Sequence, residues 1–111
     1  MFNNDLFTQL PIALPQAEFL AFCQKWGIEA AWLFGSVLRE DFRPESSDID
    51  MLVSFDPNYR HNLWDWATMG DELETLFGRK VDFGSRKAIE SDENYLRRQY
   101  ILGSIRVIYA A

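Results

Sequence analysis

Chemistry in this chain is concentrated in Gly35 to Asp50, GSVLREDFRPESSDID, where a Gly-Ser step precedes two carboxylates, Asp48 and Asp50, spaced i, i+2. The two acids open an apolar run, Ile49, Met51, Leu52 and Val53, that reads as a buried β-strand. Side chains alternate along a strand, so Asp48 and Asp50 project to one face while Ile49, Met51 and Val53 pack on the other. Like charges held that close repel unless a positive charge intervenes, and a divalent cation is the usual solution. The pair is therefore read as metal ligands. Gly35 stands where a strand gives way to a turn, so that backbone can approach an anion closely, and Ser36 adds a hydroxyl donor. A phosphate is the anion that suits this geometry, with Mg²⁺ held between it and the acids. Asp82, in the centre of the short run Lys80 to Phe83, is the third candidate carboxylate, alternating away from Val81 and Phe83.

The elements that must position these residues follow from periodicity and punctuation. Phe19, Leu20, Cys23 and Trp26 recur at helical spacing between Pro15 and Gly27, a start and a stop. Glu29 to Phe34 is unbroken apolar sequence after its first residue, as in a strand buried on both faces, and it runs straight into Gly35. A short helical turn over Val37 to Glu40, a polar loop through Pro44, Ser46 and Ser47, and a strand from Asp48 to about Phe55 come next. The stripe Trp66, Met69 or Gly70, Leu73, Leu76 and Phe77 predicts the longest helix, from Asn62 to Gly78. Lys80 to Phe83 reads as a strand. Ser91 with Asp92 and Glu93 predicts an N-cap and acidic first turn for a helix ending near Leu102. Ile105, Val107 and Tyr109 alternate with Arg106 and Ile108 in a closing strand. The order α-β-(short α)-β-α-β-α-β predicts an α/β or α+β fold, a small mixed sheet covered by helices.

Composition bounds the possibilities. With 111 residues, 48% hydrophobic and 15% aromatic, residues 1–111 are expected to form a single domain with one core. A net charge of -6 argues against direct nucleic-acid binding, which needs a basic face. The charge is uneven: seven of the eleven Lys and Arg follow Gly78, and ten of the seventeen acids fall between Glu40 and Glu74. Cys23 is the sole cysteine, so no internal disulfide forms and a reducing compartment is expected. The opening MFNNDLFTQLPI has neither a basic n-region nor the apolar length of a signal peptide or membrane span. A cytoplasmic protein is expected, with no membrane association.

GSVLREDFRPESSDIDMLV followed by KVDF resembles the minimal nucleotidyltransferases of the DNA polymerase beta-like superfamily, in particular the antitoxins encoded beside HEPN-domain ribonuclease toxins. The resemblance runs from the first helix to the closing strand. It implies the palm-like nucleotidyltransferase fold, Asp48, Asp50 and Asp82 as catalytic carboxylates holding two Mg²⁺ ions, and Gly35 and Ser36 as binders of the ATP triphosphate. Arg39 matches the arginine often found after the Gly-Ser pair, although a surface ion pair would also explain it. Ser47 is a nucleotide-contacting candidate or simply a loop cap. One departure stands out: Val37 to Ser47 is one residue longer than the family's usual spacing, an insertion assigned to Ser46 or Ser47. The implied activity is transfer of AMP from ATP to a tyrosine of the toxin, which forms a hetero-oligomer with the antitoxin. The alternative is a non-catalytic module that neutralises the toxin by complex formation; transfer to a small molecule or an RNA end is a third option, disfavoured by size and charge. Outside the motif, His61 reads as a solvated loop residue, Cys23 as a buried small hydrophobe, and Arg97 and Arg98 as a solvated helix face, with contact to the toxin or to nucleotide phosphate as the lesser alternative. Trp26, Trp32, Trp64 and Trp66 read mostly as core by spacing, although Trp64 falls off the Trp66 stripe, which leaves a partner interface as its alternative.

Overall fold

The computed structural model describes residues 6, 9–12, 14–39, 42, 43 and 47–111. The expected turn residue Glu40 and loop residues Pro44 and Ser46 lie outside that set. Helix α1 spans Gln16–Trp26, capped by Pro15 in an extended conformation and closed by Gly27 at φ 67°. Gly27 is required twice over: its left-handed backbone excludes a Cβ sterically, and a Cβ there would lie 2.3 Å from the Tyr59 ring. Strand β1 is Ile28–Phe34, followed by a 3₁₀ turn over Gly35–Leu38. Strand β2 is Ile49–Phe55 and helix α2 is Leu63–Phe77. A reciprocal capping box fixes the start of α2, with Asn62 Oδ1 accepting from Asp65 N at 2.9 Å and Asp65 Oδ2 accepting from Asn62 N at 3.0 Å. Strand β3 is Val81–Ser85, helices α3 and α4 are Arg86–Glu90 and Tyr95–Leu102, and β4 is Arg106–Ala110.

The sheet order is β3-β2-β1-β4. Strand β1 pairs antiparallel with both β2 and β4, whereas β2 and β3 are parallel and joined through α2, so the sheet is mixed as expected. Its two faces have different roles. Ala31 and Leu33 of β1 and Ile49, Met51 and Val53 of β2 are at most 1% exposed and form one core cluster with Phe19, Phe22 and Cys23 of α1 and Met69, Leu73 and Phe77 of α2. The other face carries Trp32, Phe34, Asp50, Leu52 and Asp82, and α3 and α4 lie beside it. The alternation read from the sequence thus becomes a division of labour, with the core on one side of β2 and the acids on the other.

Three local expectations are corrected. Ser91 does not cap the last helix: it ends α3, a turn the sequence reading left out, and Asn94 caps α4 by accepting from Arg97 N at 3.1 Å. Asp92 Oδ1 accepts from Asn94 N at 2.8 Å, a local turn that keeps Asp92 out of the helix. The alternation of β4 breaks at a bulge, because Ala31 pairs with Tyr109 and Trp32 with Val107; Ile108 and Tyr109 are both buried as a result. His61 is not solvated but packed against the rings of Phe55 at 4.5 Å and Trp26 at 5.9 Å. Cys23 is buried as expected, and burial pushes its thiol up to about 12, which leaves it unreactive.

Glu72 ties α2 to the end of α1, accepting from Lys25 Nζ at 2.7 Å and Trp26 Nε1 at 3.1 Å. Burial pushes its carboxyl up, but the hydrogen bonds from Lys25 and Trp26 and the Lys25 charge outweigh that and hold it below the usual value. Its contribution is therefore complete above the unfolded-chain value and lost as pH falls through the folded one. Glu72→Gln should lower stability by about 0.5–1 kcal/mol at neutral pH and flatten the decline in acid, as urea titrations at neutral and mildly acidic pH will read.

Candidate active site

The site is built where β1 ends and β2 and β3 begin, on the α3/α4 face of the sheet. Strand β1 stops at Phe34, whose register partner on β2 is Asp50. Gly35 then turns the chain at φ 77°, and a Cβ at this position would meet Asp50 Oδ2 at 2.5 Å. Glycine is required here because the backbone must be left-handed and because a carboxylate occupies the space of a side chain. Ser36 follows in the 3₁₀ turn, which closes with Arg39 N donating to Ser36 O at 2.9 Å and is anchored by buried Val37.

The feature that gathers the acids is the parallel pairing of β2 with β3, in which Asp50 and Asp82 are direct register partners. Partners in register on adjacent strands face the same way, with backbones roughly 4.8 Å apart. The strand pairing therefore brings the second and third predicted carboxylates together although they lie far apart in sequence. Asp48 comes immediately before β2. Burial raises the Asp50 carboxyl above its usual value, and the charges of Asp82 and then Asp48 raise it further, while Arg39 opposes them. Asp82 is the more open acid, 58% exposed and 4.0 Å from Lys80 Nζ. Among the described residues no group of three acids, histidines or cysteines forms a ready-made metal cage. The donor chemistry nevertheless fits Mg²⁺, since all three side chains offer hard carboxylate oxygens and Asp50 carries the cost of its neighbours' charge.

A cleft of about 520 Å³ opens over this pair, lined by Phe34, Asp50, Asp82, Ile89, Arg97 and Ile101 among others. Arg39 is not part of that lining; it borders a separate concavity with Val37, Phe42 and Arg106, and its Nη1 donates to Tyr100 Oη of α4 at 3.4 Å. Ser47 is used within its own loop, its hydroxyl accepting from Arg43 N at 3.0 Å. Sequence reasoning put Arg97 and Arg98 together on a solvated helix face, with contact to nucleotide phosphate or toxin as the lesser reading, and did not separate Arg97 as the one that lines the cleft. The signal was the i, i+4 spacing of Arg97 and Ile101, which puts both on one helix face. A second concavity of about 440 Å³, between α1 and α2 on the core side of the sheet, is lined by Glu18, Phe22, Lys25, Asp71, Glu72 and Leu76 among others; its charges are partly spent on structure, since Glu72 accepts from Lys25 and Trp26.

A glycine turn facing acids on adjacent strands of a mixed sheet is the architecture of a nucleotidyltransferase. Residues 19–107 match the family model described as Nucleotidyltransferase domain, and the chain belongs to that family. It is 34% identical over 67 residues to a Methanocaldococcus jannaschii protein named as a protein adenylyltransferase, an alignment spanning 60% of this chain and 66% of that protein. A solved structure described as a minimal nucleotidyltransferase superposes with a TM-score of 0.59 at 34% identity, covering 82% of this chain and 85% of the other. The fold is shared more distantly with a toxin-antitoxin structure containing AMP-PNP, at a TM-score of 0.62 and 17% identity over 88% of this chain and 75% of the other. The toxin-antitoxin MntA-HepT is likewise similar in fold, at 0.54 and 17% over 87% and 74%.

Because the folded chain holds Asp50 above its unfolded value, it binds more protons than the unfolded chain between the two, so stability falls as pH rises through that window. At neutral pH the whole deficit is present. Asp50→Asn should therefore melt a few degrees above the parent protein at neutral pH without added metal, with the gap shrinking in mild acid; a variant that melts lower contradicts the crowding of charge. Gly35→Ala should cost about 1–2 kcal/mol from the backbone alone and more from the clash with Asp50, measured by chemical denaturation.

Proposed function

We propose that the chain is a Mg²⁺-dependent adenylyltransferase that transfers AMP from ATP to a tyrosine of a partner protein, an HEPN-domain ribonuclease toxin, and neutralises it as an antitoxin. The observation that carries this reading is the register match of Asp50 and Asp82 beside the Gly35 turn. The protein adenylyltransferase named among its relatives and the toxin-antitoxin folds support the direction of the proposal.

Asp48, Asp50 and Asp82 would hold the metal, two ions in the full site. Bound Mg²⁺ supplies charge neutralisation at the phosphates and Lewis acidity at the reacting phosphorus. Gly35 permits close backbone approach to the triphosphate, and Ser36 offers it a hydroxyl donor; Arg39 and Ser47 are the further nucleotide contacts proposed. The acceptor's phenol oxygen attacks the α-phosphorus, the bond to the β-phosphate oxygen breaks, and pyrophosphate departs. Asp82 takes the phenolic proton. Its exposure suits that role, since an acceptor carried on another protein must reach the base from solvent.

A protein acceptor also accounts for apolar side chains left in water. Leu63 and Trp64 at the start of α2 are 83% and 81% exposed, and Tyr95, Leu96 and Tyr100 of α4 are also exposed. These groups equally favour the second reading, a module that neutralises the toxin by occlusion in a hetero-oligomer without catalysis. No helix among the described residues is long and apolar enough to cross a membrane. We propose a cytoplasmic location, with residues 1–111 forming one minimal nucleotidyltransferase domain.

Co-incubation with the partner and ATP labelled at the α-phosphate separates the two readings. The parent chain should label the partner, and Asp48→Asn, Asp50→Asn and Asp82→Asn should each reduce labelling about a hundredfold or more while remaining folded. Unchanged labelling by all three would overturn the catalytic reading; loss of labelling with undiminished protection of cells would favour occlusion.

A further inference from the structure

We propose that Arg97 is the cationic anchor for the nucleotide's polyphosphate, and that Asp92 holds the Arg97 side chain until nucleotide replaces it. The inference rests on the nucleotidyltransferase reading and assigns a role to a residue that reading does not use.

The argument begins with charge. A site with Asp50 and Asp82 on its floor and Asp48 nearby must admit a polyanion, and Mg²⁺ alone leaves a nucleoside triphosphate negatively charged. Among the described residues lining the cleft, Arg97 is the one cation. Helix α4 aims it there: the Asn94 cap fixes the first turn, and Ile101, one turn on, lines the same cleft. The helix dipole disfavours a cation in a first turn, so helix stability does not account for an arginine at this position. An anion bound beside it would reverse that penalty.

The present partner of Arg97 is loosely held. Its Nε lies 3.7 Å from Asp92 Oδ2, beyond good hydrogen-bond length, and its side chain is 63% exposed. Such a pair is weak and screened by solvent, whereas a phosphate presents oxygens that match the guanidinium fork. Asp92 thus presents to Arg97 the kind of oxygen that a phosphate would. Arg98 is unsuited to the task, because its Nη1 donates to Asp92 O at 3.1 Å and its guanidinium lies 5.4 Å from the Tyr95 ring centre.

The test is equilibrium binding of a non-hydrolysable ATP analogue with Mg²⁺, and of AMP, to the full chain and three variants. Arg97→Ala should weaken the analogue about tenfold and AMP much less, with an unchanged melting temperature, and Arg97→Lys should recover part of the loss. Asp92→Asn keeps the Oδ1 that accepts from Asn94 N but removes the competing charge, and should tighten the analogue about twofold. Parent-like affinity in Arg97→Ala, or equal weakening of analogue and AMP, would overturn the assignment while leaving the transferase reading in place. Failure of the parent chain to bind the analogue would overturn that reading and the anchor with it.

Discussion

Electrostatic repulsion among carboxylates on one face of a small sheet is the constraint around which this protein is arranged. Asp50 and Asp82 stand side by side because β2 and β3 run parallel in register, and Asp48 adds its charge from just before β2. A fold selected for stability alone would not gather them. The chain tolerates the arrangement because the opposite face of β2 is wholly committed to the core, where Ile49, Met51 and Val53 are sealed by α1 and α2. One strand thus anchors the fold through one set of side chains and displays acids with the other.

The surrounding features answer to the same constraint. Gly35 has no side chain because Asp50 fills that space, and Arg39 is near enough to relieve part of the charge. Helices α3 and α4 only partly cover the acid face, and the resulting cleft stays open to solvent on the Asp82 side. That openness fits the proposed acceptor brought from outside. The exposed apolar residues of α2 and α4 belong to the same picture of an unfinished surface.

Much of this was legible in the chain, and the pattern of what was not is informative. The interleaving of Asp48 and Asp50 with Ile49 and Met51 identified both the core face and the acid face, with Leu52 an apolar exception on the acid side, and Gly27 and Gly78 marked helix ends that the structure places at those residues. Asp82 was legible as a candidate because its strand is short and its neighbours are apolar, but only the pairing register could put it beside Asp50. Errors cluster between Ser85 and Asn94, where three potential capping residues, Ser85, Ser91 and Asn94, lie close together. Two of them cap helices at the N-terminus, and local composition does not say which. The β4 bulge and the packed His61 depend on contacts with β1 and with distant aromatic rings, and no local pattern encodes either. Which of Arg97 and Arg98 belongs to the cleft was not readable for a related reason, since the cleft that separates them is a property of the assembled sheet.

Direct binding of Mn²⁺, followed by its electron paramagnetic resonance in the presence of a non-hydrolysable ATP analogue, tests the shared acid site most directly. The parent chain should take up the ion, and replacing either Asp50 or Asp82 alone by asparagine should abolish most of that uptake, because each contributes to one site. Undiminished Mn²⁺ binding in both single variants would show that the paired acids do not form a common cation site.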